Sequence, residues 1–327
     1  MYVELTHRLA GEKLKKWQTL LLSAGLTPEE PPETAILVWQ DEDLIATGSR
    51  VGNLLKYIAV SPAHQGEDLT ATVLTGLRQD AFDCGHSHLF LYTKPGNEWM
   101  FTGLFFYPIA KTKDVLLMES VQSGIENFLS ALPKENKKSK IGALVINANP
   151  FTCGHKYLVE TAAAQCDWVY VFVLSEDKSE FSAKDRLEMV KQGVAHLKNV
   201  TVLPTGPYLI SAATFPTYFL KDREKAGQVQ CLLDIAIFCK YFAPKFSITC
   251  RYVGTEPLSF MTEQYNMALR EHLPKNGIAL REIPRLETAG TPVSASAVRA
   301  LIKEGKPIDH LVPETTYRYL KENNLCK

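Results

Sequence analysis

The apolar positions of this 327-residue chain change their pattern near the middle of the sequence. Before that point, strand-like and helix-like patterns alternate over short distances. After it, apolar β-rich runs follow one another with helical patterns between them, over residues 141–147, 168–174, 200–204 and 248–253. Continuously apolar runs are typical of parallel strands buried on both faces. The C-terminal half is therefore predicted to be an α/β domain with a doubly wound, Rossmann-like parallel sheet, whose ligands lie at the carboxyl ends of the strands.

The N-terminal part is predicted to be a separate, smaller α/β unit. Its strand patterns cover residues 34–40, 43–49, 54–60 and 88–93, and a helical pattern covers residues 69–85. Residues 134–140 are charged and lack apolar periodicity, which is typical of a linker. The sequence thus predicts a domain over residues 1–133, a linker over 134–140 and a second domain over 141–327.

The amino-acid composition limits the classes of function that this chain can have. The 36 basic and 36 acidic residues balance, and no segment is dominated by Lys and Arg, which argues against nucleic-acid or anionic-membrane partners. No apolar run approaches the roughly 20 residues that span a bilayer, and the first ten residues do not resemble a signal peptide. The seven cysteines are scattered without a Cys-x-x-Cys pair, so we expect a reducing cytoplasm and a small-molecule enzyme.

The first candidate motif follows the strand predicted over residues 141–147. It contains Asn149, Thr152, Gly154 and His155, and a helix is predicted to begin at about Gly154. A helix N-terminus offers unpaired N–H groups and the positive end of the helix dipole, which suit a triphosphate. Gly154 would let the backbone approach it closely, and His155 could donate to a phosphate oxygen. An ordinary helix cap with a surface histidine remains the alternative.

The second candidate motif lies far downstream, where Ser294, Ser296 and Arg299 surround the start of another predicted helix. Two hydroxyl groups and a guanidinium are suited to holding phosphate. A Ser-capped helix with an exposed arginine is the structural alternative.

Taken together, the two motifs resemble the nucleotidyltransferase superfamily and, within it, the citrate lyase ligase family. The resemblance extends over nearly the whole chain, including an N-terminal part similar to GNAT acetyltransferases. The segments that carry it are residues 147–155, 181–187, 211–220, 253–257 and 292–299.

The resemblance implies a role for each matching residue. Thr152 and His155 would be catalytic, with His155 stabilising the transition state. The remaining positions would bind ATP, and they are Asn149, Gly154, Lys178, Arg186, Gly254, Glu256, Ser294, Ser296 and Arg299.

The implied reaction has two steps. Acetate attacks ATP to give acetyl-adenylate and pyrophosphate, and the thiol on the CoA-like prosthetic group of the citrate lyase acyl-carrier subunit then takes the acetyl group. Mg²⁺ is expected with ATP, although the sequence contains no dedicated carboxylate cage. Two other functions remain open, namely an adenylyltransferase acting on a precursor such as phosphopantetheine and a non-catalytic nucleotide-binding regulator. Thr214, Phe215, Pro216 and Tyr218 are candidates for the wall of the acyl or thiol site, with a place in the core as the structural alternative.

Two further features of the sequence bear on function. Cys153 lies inside the first motif, and we expect it to pack inward rather than act as a nucleophile. Residues 58–69 resemble the pyrophosphate-binding turn of GNAT acetyltransferases, but Ala63 and Asp68 depart from that pattern. An acidic group is unfavourable beside a diphosphate, which argues against binding of acetyl-CoA. Two alternatives remain open: the domain holds the CoA-like arm of the carrier, or it has kept the fold and lost the site.

Overall fold

A computed structural model describes residues 1–29, 31–135, 139–176, 179–209, 215–220, 225–255, 260–288 and 291–326. The chain forms two compact units. The first consists of Met1–Gly124 and Pro216–Val229, and the second of Ile125–Phe215 and Gln230–Lys327. Within the described ranges, no helix combines the length and apolar character needed to cross a bilayer.

The first unit is built on a seven-stranded mixed sheet. Its strands are β1 (Tyr2–Thr6), β2 (Thr34–Gln40), β3 (Asp43–Val51), β4 (Leu54–Val60), β5 (Phe90–Thr93), β6 (Tyr107–Lys111) and β7 (Leu116–Glu119), in the order β1-β2-β3-β4-β5-β7-β6. Its main helices are α1 (Gly11–Ser23), α2 (Leu69–Asp83) and α3 (Glu98–Gly103). The β4–β5 pair is parallel and its pairing covers only two residue pairs, ending at Leu55 and Leu91. The apolar face of α2 packs on this sheet through Val73 and Leu77.

The second unit contains a five-stranded sheet in which every pairing is parallel. Its strands are β8 (Ile141–Ile146), β9 (Trp168–Val173), β10 (Val200–Pro204), β11 (Cys250–Gly254) and β12 (Ala279–Ile283), in the order β10-β9-β8-β11-β12. Its helices include α4 (Gly124–Ala131), α5 (Cys153–Gln165), α6 (Ala183–Val194), α7 (Ala226–Ile237), α8 (Ala243–Phe246), α9 (Phe260–His272), α10 (Ala295–Lys303) and α11 (Glu314–Glu322). A π-helical turn, Phe238–Phe242, joins α7 to α8.

Apolar side chains cover both faces of the parallel sheet, as the strand patterns predict. Val171 of β9 belongs to the core formed with α5 and α6. Its neighbour Phe172 points to the other face, where its ring centroid lies 5.3 Å from those of Phe242 and Phe246. The predicted α/β class and the doubly wound parallel sheet of the C-terminal region are confirmed.

The bounds of the compact units differ from those of the predicted domains at two places. α4 precedes the predicted linker, but from residue 125 onward it belongs to the second unit, where the Phe128 ring lies 5.4 Å from that of Tyr208. Residues 216–229 follow the linker in sequence yet belong to the first unit, where the Tyr218 ring lies 4.5 Å from that of Tyr57. The functional division at residues 134–140 stays a prediction.

Candidate functional site

The turn between β8 and α5 is fixed by a reciprocal cap. Thr152 is the N-cap of α5, and its Oγ1 accepts a hydrogen bond from the His155 backbone N–H at 3.3 Å. In return, the Thr152 backbone N–H donates to Nδ1 of His155 at 3.1 Å. This capping box fixes the orientation of the imidazole in the first helical turn.

The same hydrogen bonds define the chemical state of His155. A backbone N–H can only donate, so Nδ1 must accept, and the neutral ring therefore carries its proton on Nε2. Burial, and secondarily the positive charge of Arg285, lowers the pKa of His155 to about 4. The ring also stacks on Phe151, with centroids 5.8 Å apart. At neutral pH, His155 is an uncharged, oriented Nε2–H donor.

The second motif lies directly against the first. Ser294 is the N-cap of α10, and its Oγ accepts from the Ala297 backbone N–H at 3.2 Å. A Cβ atom added at Gly154 would lie 3.2 Å from the carbonyl oxygen of Val293, so the absence of a side chain at 154 permits this close approach. Arg299 Nη1 donates to the Asn149 carbonyl at 2.5 Å. Two helix N-termini thus meet at the carboxyl edge of the parallel sheet.

A cavity of about 610 Å³ opens at this edge. Its polar side is formed by Thr152, Gly154, His155, Ser294 and Ser296. The remaining lining includes Tyr252 and Gly254 of β11, Ile283 of β12, and Tyr265 and Asn266 in the middle of α9. The cavity therefore combines hydroxyl groups, an imidazole and two positive helix ends, which suit phosphate, with aromatic and apolar surface, which suits a nucleoside.

Most of the predicted site residues meet here. Six of them line the cavity, namely Thr152, Gly154, His155, Gly254, Ser294 and Ser296. Arg299 lies beside it and donates through Nη2 to Ser296 Oγ at 3.2 Å. Asn149 is buried, and its Oδ1 accepts from the Phe181 backbone N–H at 3.1 Å, so it holds the turn together. Lys178 and Glu256 lie outside the described residues.

Arg186 departs most from its expected role as an ATP ligand. Its side chain is fully buried, and its guanidinium donates to the carbonyl oxygens of Asn147 (3.0 Å), Leu174 (2.8 Å) and Phe181 (3.0 Å), and also to that of Glu176. Because its N–H donors bond to loop carbonyls and the side chain is buried, this guanidinium does not bind phosphate. The structure gives Arg186 the role of fixing the loops that follow β8 and β9.

Two groups at the cavity were not predicted from the sequence. Arg285 lies on its lining two residues after β12, with its Nε donating to the Thr255 carbonyl at 2.8 Å. Tyr265 lines it from α9, with its hydroxyl bonded to Asp234 and, at 2.7 Å, to Arg251. A basic residue just beyond a strand end was the available signal for Arg285, but that strand was not predicted.

Cys153 does not have the properties of an acyl acceptor. It is half-buried, and burial raises the pKa of its thiol above the ordinary range. Its backbone N–H donates to the Leu311 carbonyl at 2.9 Å, which fixes the start of α5. Because the thiolate is the nucleophilic form, this environment suppresses nucleophilic attack by Cys153.

The first unit has a cavity of its own, of about 750 Å³. It lies where β4 and β5 are no longer paired, and its lining includes Val60, Tyr92, Lys94 and Tyr218. The turn over residues 61–68 leads into α2 at this cavity, and its N-cap is Asp68, which makes no side-chain capping bond. Asp68, one of the two residues that depart from the GNAT pattern, therefore lies at the helix N-terminus where a diphosphate would bind.

Comparison with known proteins gives matches along nearly the whole chain. The family model for the citrate lyase ligase C-terminal domain matches residues 141–320. The [citrate [pro-3S]-lyase] ligase of Klebsiella pneumoniae is 41% identical over 305 residues, covering 91% of this chain and 89% of the relative. That of Escherichia coli K12 is 38% identical over 323 residues, covering 96% and 92%.

A more distant match covers about half of the chain. The phosphopantetheine adenylyltransferase of Symbiobacterium thermophilum is 28% identical over 177 residues, covering 53% of this chain and 90% of that protein. The ligases are more similar and align over almost their entire lengths, and the family model covers more than half of the chain. The chain therefore belongs to the citrate lyase ligase family.

Proposed function

We propose that this chain activates acetate with ATP and transfers the acetyl group to the thiol of the prosthetic group on the acyl-carrier subunit of citrate lyase. Its relatives are ligases whose names specify citrate lyase. The observation that carries the proposal is the meeting of the two motifs on one cavity, where residue 154 lies against Val293. We assign the reaction to the cytoplasm, where ATP and reduced thiols are available.

In the first step, a carboxylate oxygen of acetate attacks the α-phosphorus of ATP. The bond from this phosphorus to the bridging oxygen breaks, and the electron pair leaves with pyrophosphate. No protein nucleophile is required, so catalysis depends on positioning and on donors aimed at the developing charge. His155 supplies a neutral Nε2–H, and Ser294, Ser296 and Arg299 hold the departing phosphates.

In the second step, the carrier thiolate attacks the carbonyl carbon of acetyl-adenylate. The carbon–oxygen bond to the phosphate breaks, AMP leaves with the electron pair, and a thioester remains. The same donors then stabilise the charge that forms on AMP. Fixed loops keep these donors in place, and Arg186 contributes by binding the carbonyls beyond β8 and β9.

Mg²⁺ fits this site as part of the nucleotide complex. Among the described residues there is no group of three or more His, Cys, Asp or Glu side chains that could hold a metal ion. The described cavity lining does offer the hard oxygen atoms of Asn147, Thr152 and Ser294, which suit a magnesium ion that keeps phosphate and water ligands. The ion would neutralise charge on the departing pyrophosphate.

Acetate-dependent exchange of labelled pyrophosphate into ATP tests the proposal. The wild-type protein should exchange label when acetate is present, and His155→Ala should lower the rate about a hundredfold or more. His196→Ala is the matched control, because His196 is an exposed histidine of the same unit that bonds only to Glu160 among its described contacts. Exchange that needs phosphopantetheine instead of acetate would favour the adenylyltransferase alternative, and absence of exchange with either would contradict both enzyme assignments.

A further inference from the structure

The nucleotide cavity lies where two strands of the parallel sheet separate. The pairing of β8 with β11 covers only two residue pairs, ending at Ala143 and Arg251. Beyond them, Val253 and Gly254 of β11 line the cavity, as do residues 145 and 146 of β8. From β8 the sheet continues through β9 to β10 in one direction and through β11 to β12 in the other. This is the topological switch point at which open α/β sheets bind their ligands.

Asn266 of α9 places a buried amide on the lining of this cavity. The residue is 2% exposed, and its Nδ2 donates to the Gly254 carbonyl at 3.0 Å. A carbonyl oxygen can only accept, so this bond fixes which end of the amide faces Gly254 and leaves Oδ1 pointing away from it. Among the residues that the structure describes, Oδ1 has no hydrogen-bond partner. An unpaired buried acceptor is unfavourable, so a ligand that brings a donor to Oδ1 gains affinity.

The chemistry of ATP decides which part of the nucleotide can meet this acceptor. Ionised phosphate oxygens only accept hydrogen bonds, and the carboxylate of acetate does the same, so both repel Oδ1. The donors of ATP are on its nucleoside, namely the ribose hydroxyl groups and the 6-amino group of adenine. Asn266 is therefore suited to the nucleoside and unsuited to the triphosphate.

The neighbouring residue supports the same assignment. Tyr265 also lines the cavity, and its hydroxyl accepts from Arg251 Nη2 at 2.7 Å and donates to Asp234. Both of these partners are buried. The polar end of Tyr265 is thus held inside the protein, and its ring supplies apolar surface next to Asn266. An aromatic surface beside an oriented acceptor suits a nucleoside.

We propose that Asn266 is a specificity-determining residue of this site, whose Oδ1 accepts a hydrogen bond from a donor group on the nucleoside of ATP. This inference rests on the proposed function. The bond to Gly254 holds the acceptor in place, so a nucleotide without the matching donor leaves Oδ1 unpaired. A site built to hydrogen-bond one group of its substrate rejects the analogue that lacks this group, because its own polar atom is then left without a partner.

Calorimetric titrations with four nucleotides test the proposal. They are ATP, 2′-deoxy-ATP, 3′-deoxy-ATP and purine riboside triphosphate, in which hydrogen replaces the 6-amino group. The wild-type protein should bind one of the three analogues about tenfold more weakly than ATP, and that analogue identifies the donor. Asn266→Leu removes the acceptor with little change in volume, and it should bind ATP and that analogue within about twofold of each other.

The ratio of these affinities separates ligand contact from a structural role. If Asn266 served only to hold Gly254, Asn266→Leu would weaken binding of ATP and of every analogue by the same factor. Asn276→Ala is the matched control, because Asn276 is an exposed asparagine of the same unit whose Nδ2 also donates to a carbonyl, that of His272 at 2.9 Å. It should keep the wild-type ratios. Asn266→Ala replaces Asn266→Leu if the latter does not fold, and the wild-type titrations need no variant.

Equal wild-type affinities for ATP and all three analogues, or a ratio that Asn266→Leu leaves unchanged, would overturn the inference. Acetate-dependent pyrophosphate exchange by the wild-type protein and His155→Ala is measured in parallel. If His155→Ala keeps its rate, the proposed function fails, while the titrations still report on Asn266 because they need no turnover. If His155→Ala loses its rate and the affinity ratios do not differ between wild type and Asn266→Leu, only the role of Asn266 is wrong.

Discussion

The two cavities of this protein are similar in size but opposite in chemistry. That of the second unit has about 610 Å³ and that of the first about 750 Å³, and each adjoins parallel strands and a helix N-terminus. The second cavity joins two helix ends to Arg285 and to a histidine in a defined protonation state. The first has Asp68 at its helix end. Volume therefore does not identify the phosphate site, whereas the sign of the charge at the helix ends does.

The largest predicted difference is between substitutions of a basic residue near each of the two cavities. Arg299→Met should lower kcat/KM for ATP about a hundredfold, because a charge-assisted contact to phosphate is lost and Asn149 loses its partner. Lys94→Met, at the cavity of the first unit, should leave pyrophosphate exchange within about twofold of wild type. Steady-state exchange kinetics measure both, and equal losses would remove the functional distinction between the cavities.

The protonation of His155 predicts a pH effect on the stability of the second unit. Its pKa falls from 6.5 to about 4 on folding, so the unfolded chain binds the proton more readily between these values, and stability is lost as the pH falls through that window. Relative to His155→Gln, the wild-type unit should lose about 2 kcal/mol of unfolding free energy between pH 7 and pH 5. Hydrogen exchange of β8 and β9 amides measures this, and a pH-independent difference would contradict a neutral imidazole in the folded protein.

The close contact at residue 154 predicts an intermediate effect. Gly154→Ala places a Cβ 3.2 Å from the Val293 carbonyl and should lower kcat/KM for ATP about tenfold, because the α10 N-terminus must shift away from α5. Gly96→Ala, in the first unit, is the control, since nothing lies within 4 Å of a Cβ atom added there. If both variants exchange pyrophosphate at the wild-type rate, the reaction does not depend on the spacing between the N-termini of α5 and α10.

The smallest effect concerns Asp68. Asp68→Asn removes an acidic group from the α2 N-terminus and should strengthen binding of CoA, a diphosphate-containing probe, by roughly fivefold at low salt. Calorimetric titration of both proteins measures the change. Weaker binding by the variant would show that Asp68 contacts CoA favourably, for example by accepting a hydrogen bond from one of its hydroxyl groups.

The parallel sheet could be predicted from the sequence because its central strands are buried on both faces and therefore have continuously apolar sequences. The central strands were predicted over residues 141–147, 168–174 and 248–253; β8 and β9 lie within the first two ranges and β11 overlaps the third. Of the two edge strands, β10 was predicted over residues 200–204, whereas β12 was missed because its Arg281 and Glu282 interrupt the apolar pattern. Missing β12 also hid Arg285, since a strand end is what marks a residue as belonging to the site.

The roles of individual polar residues were less predictable. Spacing identified Thr152, His155, Ser294 and Ser296 because each lies at a helix N-terminus, where local sequence determines geometry. The family resemblance assigned Arg186 to ATP, although the surrounding loops turn their carbonyls toward its guanidinium. The burial of Arg186 depends on the conformation of the loops around it, which the local sequence pattern does not determine.

The Arg299–Asn149 hydrogen bond has a consequence for biosynthesis. Its partners are 150 positions apart in the chain. A nascent chain emerging from the ribosome can complete the β8–α5 turn early, but it lacks the second helix end until α10 has been made. The two helix ends of the site therefore come together only after α10 has been synthesised, and a chain that stops before Ser294 lacks one of them.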